Sequence, residues 1–367
     1  MNERLKDMYF KRAYFEHLAA IIPPHHPAFD GSAFLAGIYD AAWDNRALKE
    51  KMRHTTQTLH ACLPDDYRTA LGILRQIVPH LAGFGFENAV LPDFVELYGL
   101  DDWEASLPAL ELFTQLMSAE FAVRPFILQN QARMMAQMLD WAGHEHPAVR
   151  RLASEGCRPR LPWAIALGPL QDDPAPILPI LDRLKLDPVE DVRRSVANNL
   201  NDIAKDNPDV TLGVLRGWQS IDTDDIRRLT NHALRTLLKQ GHPGALELLG
   251  YSTAPAISIS QPTLSPESIP IGAAVTFEAD ITSTASDPQP LMIDYVVHHM
   301  RARGQQTPKV FKLSKREIAP GETIHIRREH AIKTVSTRKI YPGAHAIELQ
   351  INGQIVARWD FEVTAAE

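Results

Sequence analysis

The sequence predicts two domains of different class: an all-α HEAT-like helical-repeat solenoid over residues 1–250 and an all-β immunoglobulin-like sandwich over residues 251–367. Three observations lead to this division. Apolar residues recur with the 3.6-residue helical period through the first part. Within that part an Arg-Arg pair enters a helix three times in the same register. Short alternating runs separated by turn residues fill the second part, which is typical of β-strands.

The Arg-Arg pairs are the clearest sign of repeats in the first domain. They lie at positions 150–151, 193–194 and 227–228, and the apolar residues that precede them are 43 and 34 residues apart. This spacing is typical of two-helix repeats of the HEAT kind. Such repeats stack so that one helix of each unit lines a continuous concave surface.

A helical wheel places the second arginine of each pair opposite the apolar stripe. The stripe of the second repeat contains Val192, Val196, Leu200 and Ile203. Together with Arg124, which precedes a Pro125 break, the polar faces give the following candidate contacts for a polyanion such as DNA: Arg124, Arg151, Arg194, Asn198, Arg228, His232, Arg235 and Lys239. The pattern favours a polyanion-binding surface, although solvated helix faces with intrahelical ion pairs would also produce it.

The composition limits the possible functions. The formal net charge is −7, so any affinity for nucleic acid must come from a local basic surface. The sequence contains two cysteines, Cys62 and Cys157, so we expect neither a disulfide scaffold nor a Cys-rich zinc site. We expect the protein to function in a reducing cytoplasm. We expect neither a signal peptide nor a membrane span. If the chain binds DNA, it would be associated with the bacterial nucleoid.

The second domain begins after a Ser/Pro-rich stretch, residues 251–272, and continues with six alternating runs. Asn352-Gly353 separates the last two and is a strong two-residue hairpin signal. Residues 298–339 contain eleven Lys or Arg and three Asp or Glu, a local net charge of +8. We predict that some of these side chains contact the DNA backbone; the alternative is scattered solvent-facing positions. The first candidates are Lys315, Arg316, Arg327, Arg328, Arg338 and Lys339.

The repeats, the N-terminal sequence MNERLKDMYF and the strand-rich tail together resemble the AlkC branch of the HEAT-repeat DNA alkylation repair glycosylases, relatives of AlkD. The resemblance covers about residues 1–250 in the helical part, and the tail resembles the immunoglobulin-like domain of some members. It implies excision of cationic alkylated bases, chiefly N3-methyladenine, from double-stranded DNA, without a deep base-specific pocket. It implies no cofactor, metal or obligate protein partner, and no membrane association.

The resemblance also implies four catalytic positions. Asp202 follows the Asn-Asn-Leu of the second Arg-Arg repeat and matches the catalytic aspartate of the family. Glu120, Glu155 and Trp163 are the other candidates, and Trp163 is expected to begin a helix after Pro162. Asp202 could instead pair with Arg194 or cap a neighbour, and Glu120 and Glu155 could pair with the arginines four residues away from each. Trp163 could be a packing residue near a helix start.

The chemistry explains why such groups would be needed. A cationic base is already a good leaving group, and positive charge moves to the sugar as the glycosidic bond breaks. A carboxylate stabilises that charge and orients water, and an aromatic face attracts the cationic base by roughly 0.5–2 kcal/mol. His-rich pairs such as His298-His299 lack zinc-site spacing. The alternative function is a non-enzymatic HEAT scaffold that binds protein or nucleic acid.

Overall fold

The computed structural model describes residues 8–335 and 339–365, and it divides into two compact units, Met1–Ala233 and Leu234–Glu367. The division falls earlier than residue 250, the boundary predicted from composition. Two short helices between residues 234 and 250 are grouped with the strands that follow them.

The first unit is built from α-helices joined by short loops. In chain order they are α1 Arg12–Ile21, α2 Gly31–Ile38, α3 Leu48–Ala61, α4 Tyr67–Ile77, α5 Val90–Tyr98, α6 Trp103–Phe113, α7 Val123–Gln129, α8 Gln131–Trp141, α9 Pro147–Glu155, α10 Gly168–Asp172, α11 Leu178–Leu184, α12 Glu190–Ile203, α13 Pro208–Trp218 and α14 Asp224–Ala233. Single 3-10 turns occupy Trp43–Asn45, Val78–His80, Phe86–Ala89 and Ala175–Ile177.

The three predicted Arg-Arg helices are α9, α12 and α14, and α12 packs between the other two. The predicted apolar stripe of α12 is confirmed, because all four of its members are at most 1% exposed. In the first two repeats, the first arginine of the pair binds a carboxylate of the next repeat: Arg150 binds Asp187 at 2.5 Å, and Arg193 binds Asp225 at 3.0 Å. The second arginine of each pair has a different partner: Arg151 binds Glu120, Arg194 binds Asp191 and Arg228 binds Asp225.

The third Arg-Arg helix is shorter than its periodicity predicts. We expected one helix to carry Arg228, His232, Arg235 and Lys239, but α14 ends at Ala233 and a separate helix begins at Arg235. Arg235 and Lys239 therefore belong to the second compact unit.

Within its described residues, the second unit holds α15 Arg235–Lys239, α16 Pro243–Leu248 and eight strands. The strands are β1 Ile257–Ser265, β2 Ser268–Pro270, β3 Ala274–Ser283, β4 Gln289–Met300, β5 Gln306–Ile318, β6 Thr323–Ala331, β7 Gly343–Ile351 and β8 Gln354–Thr364. They form a three-stranded sheet in the order β1-β3-β6 and a five-stranded sheet in the order β2-β8-β7-β4-β5. All six predicted runs are strands, and the Ser/Pro-rich stretch contributes β1 and β2.

Alternation along the strands produces the core of the second unit. Val275, Phe277, Ala279 and Ile281 alternate along β3 and are buried against residues of the other sheet. The predicted Asn352-Gly353 turn joins β7 to β8, and both residues have positive φ, as a two-residue hairpin requires. A β-carbon on Gly241 would lie 2.8 Å from the Cα of Gly353, so the turn between α15 and α16 packs tightly on this hairpin.

Candidate active site and nucleic-acid interface

A continuous chain of alternating acidic and basic side chains crosses the first unit. In order its members are Glu120, Arg151, Glu155, Arg158, Asp202 and Lys205. The three carboxylates singled out from the sequence are therefore connected in space, although up to 82 positions separate them in the chain. We call this set the ionic chain.

Asp202, at the C-terminal end of α12, is 1% exposed, and both of its carboxylate oxygens are bound. Oδ2 accepts from Nε of Arg158 at 2.9 Å and lies 2.8 Å from Nη2 of the same side chain. Oδ1 accepts from Nζ of Lys205 at 2.8 Å. The sequence left open a pairing of Asp202 with Arg194; Arg194 instead pairs with Asp191 at 2.7 Å.

Glu155 ends α9 and is 4% exposed. Its Oε1 accepts from Nη1 of Arg158 at 2.6 Å, whereas Arg151, four residues before it, is 3.7 Å away. Its Oε2 accepts from the hydroxyl of Ser195 at 2.6 Å. The guanidinium of Arg158 thus lies between Glu155 and Asp202 and holds the two carboxylates together.

Glu120 lies just before α7 and accepts two hydrogen bonds on Oε2. Ser118 donates to it at 2.8 Å and Arg151 at 3.1 Å. Glu120 therefore pairs with Arg151 rather than with Arg124, the arginine four residues further on. Arg151 is thus a member of the ionic chain and keeps about a third of its side chain exposed.

Trp163 does not begin a helix, so that prediction was wrong. It lies in a loop, residues 156–167, between α9 and α10, and α10 begins only at Gly168. Its backbone is left-handed, with φ of 64°, and its side chain is 63% exposed beside the half-exposed Ile165. The other five tryptophans are buried or half-buried, as expected for core or rim residues. Trp163 is available for contact with a ligand.

The prediction that Arg124 contacts DNA is corrected by the structure. Its side chain has no exposed surface, and its guanidinium donates to backbone carbonyls of the 156–167 loop. Loss of hydration on burial lowers the pKa of Arg124 to about 10. A phosphate has no access to this side chain, so Arg124 supports the loop from within the protein.

A polar groove of about 220 Å³ lies between α12 and α14. Arg194 and Arg228 both line it, with side chains 56% and 72% exposed. His232, also in its lining, lies 2.8 Å from Oδ1 of Asn198 on α12. Three residues predicted to bind DNA therefore line one groove, and Asn198 contacts one of them, although Asp191 and Asp225 pair with the two exposed arginines.

Comparisons with known proteins bear on this arrangement. Over 359 residues the chain is 42% identical to the Uncharacterized protein YhaZ of Bacillus subtilis strain 168, which covers 96% of this chain and 99% of that protein. Among solved structures, the Pseudomonas fluorescens alkylpurine DNA glycosylase AlkC, bound to DNA containing an abasic site analog, superposes with a TM-score of 0.93. Its sequence is 38% identical, and the match covers 99% of this chain and 100% of that one.

The chain belongs to the AlkC family of HEAT-repeat DNA glycosylases. Residues 258–365 match the family described as "Uncharacterised protein YhaZ, C-terminal Ig-like domain". Both the resemblance inferred from the repeats and the immunoglobulin-like assignment of the tail are thereby confirmed.

In this AlkC-family chain, the basic candidates of the second unit lie mainly on the edge strands of both sheets. Lys315 and Arg316 are exposed on β5, and Arg327 and Arg328 are exposed on β6. Arg327 pairs with Glu278 at 2.6 Å. Lys339 is exposed with its Nζ 5.3 Å from the ring centre of Tyr341, and Arg338 lies outside the described residues.

Sequence reasoning missed the residues that join the carboxylates. Arg158 and Lys205 lie in the ionic chain, and Ser195 binds Glu155 from the buried side of α12. Arg158 is three residues after Glu155, a spacing that permits an ion pair, but only the fold places Asp202 on its other side. Within the described residues, no helix could span a bilayer, and no three His, Cys, Asp or Glu side chains are grouped as metal ligands.

Proposed function

We propose that the chain hydrolyses the N-glycosidic bond of cationic alkylated bases, chiefly N3-methyladenine, in double-stranded DNA, and so initiates base excision repair. One observation carries the proposal: three carboxylates in one ionic chain lie in the same unit as the exposed Trp163 and its loop. A passive DNA-binding protein gains nothing from this arrangement, because carboxylates repel phosphate. The proposal is also supported by the alkylpurine DNA glycosylase AlkC, a structurally similar relative that is bound to DNA.

The carboxylate nearest the sugar would stabilise positive charge as the base departs. Asp202 is our first choice, with Glu155 joined to it through Arg158. Such a carboxylate can also orient or deprotonate the attacking water. A base that already carries positive charge needs no strong general acid, so the same site would not act on neutral bases.

DNA itself can expose these carboxylates. In the structure Asp202 is fully bound to Arg158 and Lys205. A phosphate would compete first for Lys205, whose side chain is 38% exposed, because that of Arg158 is only 8% exposed. Both cations can exchange a carboxylate for a phosphate partner. We propose that the DNA backbone takes over part of these bonds and leaves Asp202 free to face the sugar.

The remaining candidates bind the DNA backbone in this proposal. Arg194, Arg228 and His232 in the groove would contact phosphates, which fixes the duplex without reading its sequence. Trp163 would lie against the cationic base. The basic residues of the immunoglobulin-like unit, Lys315 and Arg328 among them, would hold the backbone beside the lesion.

The deciding experiment measures release of free base from methylated double-stranded DNA by the full chain, in parallel reactions with and without EDTA. We expect N3-methyladenine to be released and an abasic site to remain. DNA binding without base release would instead assign the chain to the class of non-enzymatic HEAT scaffolds. Activity that disappears in EDTA and returns with a divalent ion would contradict the metal-independent mechanism.

A further inference from the structure

The loop that carries Trp163 is fastened from below by one buried arginine. Arg124, on α7, uses Nε and Nη1 to donate to three backbone carbonyls of this loop, at 2.6, 3.1 and 2.8 Å: those of Ile165, Gly156 and Arg158. Both ends of the loop are therefore bound to a single planar group. Arg124 also binds the backbone carbonyl of Arg158, whose side chain joins the two buried carboxylates.

The buried arginine carries a substantial energetic penalty. It is fully buried and, within residues 8–335 and 339–365, it forms no salt bridge, while its Nη2 has no hydrogen-bond partner. Burial of a charged group without a paired carboxylate is unfavourable. A neutral apolar side chain would fill the same space without that penalty. The guanidinium is therefore explained by the three loop carbonyls to which it donates.

A second cation fastens the middle of the loop. Nζ of Lys49, on α3, donates to the carbonyl of Trp163 at 2.8 Å. The same ammonium lies 4.2 Å from the ring centre of Phe121, directly after Glu120. Lys49 thus links the loop to the segment that bears the first carboxylate of the ionic chain. The backbone it holds is left-handed at a bulky residue, which is unfavourable unless the surroundings impose it.

We propose that Arg124 and Lys49 are positioning residues that act through this loop. Together they hold four of its carbonyl oxygens, impose the left-handed backbone at Trp163 and keep the indole exposed. The proposal rests on the proposed function only in taking Trp163 as the residue that meets the alkylated base. A fixed aromatic face acts on the reacting complex, so its loss should slow excision more than it weakens DNA binding.

The first test reports on the loop without DNA or activity. The full chain is labelled with 5-fluorotryptophan, and the Trp163 resonance is assigned with Trp163→Phe by fluorine NMR. We expect Lys49→Met to shift or broaden that resonance and Lys49→Arg to restore it. Lys185→Met is the matched control, because Lys185 binds Asp182 and packs over Trp218. It should perturb the Trp218 resonance and leave that of Trp163 unchanged.

The second test measures single-turnover excision at saturating DNA together with the DNA Kd. For Lys49→Met we expect the rate to fall about tenfold and the Kd to stay within about twofold, and Lys49→Arg should recover most of the rate. Arg124→Lys keeps the charge but not the fork that reaches three carbonyls, and should act in the same direction.

Either of two results would overturn the proposal: a Trp163 resonance unchanged in Lys49→Met, or a perturbed resonance with an unchanged excision rate. If the wild-type chain releases no base while the Trp163 resonance still responds to Lys49→Met, the proposed function fails and the fastening of the loop stands.

Discussion

Asp202→Asn tests the proposed mechanism most directly. A unit negative charge about 4 Å from the developing positive charge of the sugar is worth about 4 kcal/mol at an effective dielectric constant of 20, or roughly a thousandfold in rate. Arg158 and Lys205 neutralise part of the Asp202 charge in the free protein. We therefore expect excision to fall between about tenfold and a hundredfold, with DNA affinity equal or higher because a negative charge near phosphate is removed.

The same substitution also affects folding, so a control is needed. Asp202 is buried, and its loss leaves Arg158 with Glu155 as its remaining ion-pair partner, at a stability cost of about 1–3 kcal/mol. Asp206→Asn is the matched control, because Asp206 pairs with Arg160 at 2.6 Å at the more exposed end of the same segment. The assay is single-turnover base release below the melting temperature of both variants. If Asp202→Asn excises at the wild-type rate, Asp202 has no catalytic role and Glu120 becomes the leading candidate.

Three further predictions concern binding and domain structure. Arg194→Ala and Arg228→Ala should each weaken binding to damaged and undamaged DNA alike and reduce the salt slope by roughly one unit; a loss confined to damaged DNA would mean that the residue reads the lesion. Arg151→Ala should slow excision and leave the salt slope of DNA binding largely unchanged, because Arg151 binds Glu120 in the ionic chain. A variant that binds DNA more weakly but excises at the wild-type rate would contradict this. A fragment ending at Ala233 should unfold more cooperatively in urea than one ending at Gly250, since residues 234–250 are grouped with the second unit. Less cooperative unfolding of the shorter fragment would refute the grouping.

The fold could be predicted from the sequence because its signals are local and repeated. The apolar stripe of α12 follows from the period of Val192, Val196 and Leu200, and the β7–β8 hairpin from Asn352-Gly353. The end of α14 at Ala233 could not be predicted in this way, because the helical period continues through Leu237. A periodic pattern shows which face of a segment is apolar, and it does not show where a helix is interrupted.

The candidate site could be predicted only in part. The carboxylates Glu120, Glu155 and Asp202 were identified through family resemblance. That Arg158 joins two of them could not be predicted, because its contact with Asp202 spans 44 residues. Arg124 looked like a DNA-binding cation, since a sequence does not show that a charged side chain is fully buried. Both errors have one cause. A sequence shows which residues carry charge, but the burial and the neighbours of each charged side chain depend on the fold.

The last prediction concerns Asp294 on β4, which is 4% exposed within the second unit. Burial raises the pKa of this carboxyl from 3.8 to about 6, although Lys312, Lys315 and Lys239 act in the opposite direction. Between those pH values the folded state binds more protons than the unfolded state, so stability falls as the pH rises from about 4 to about 6. At 1.36 kcal/mol per pKa unit, ionised Asp294 lowers the free energy of unfolding at neutral pH by up to about 3 kcal/mol.

Asp294→Asn should therefore stabilise the chain at pH 7 and remove this part of its pH dependence, which urea unfolding at pH 4.5 and pH 7 measures. The same change leaves the three lysines without their nearby negative charge. If Lys239 and Lys315 contact phosphates as we propose, the variant should bind DNA more tightly at pH 7, with a gain that diminishes at high salt. A stabilised variant with unchanged DNA affinity would remove these two lysines from the interface and leave the prediction for stability intact.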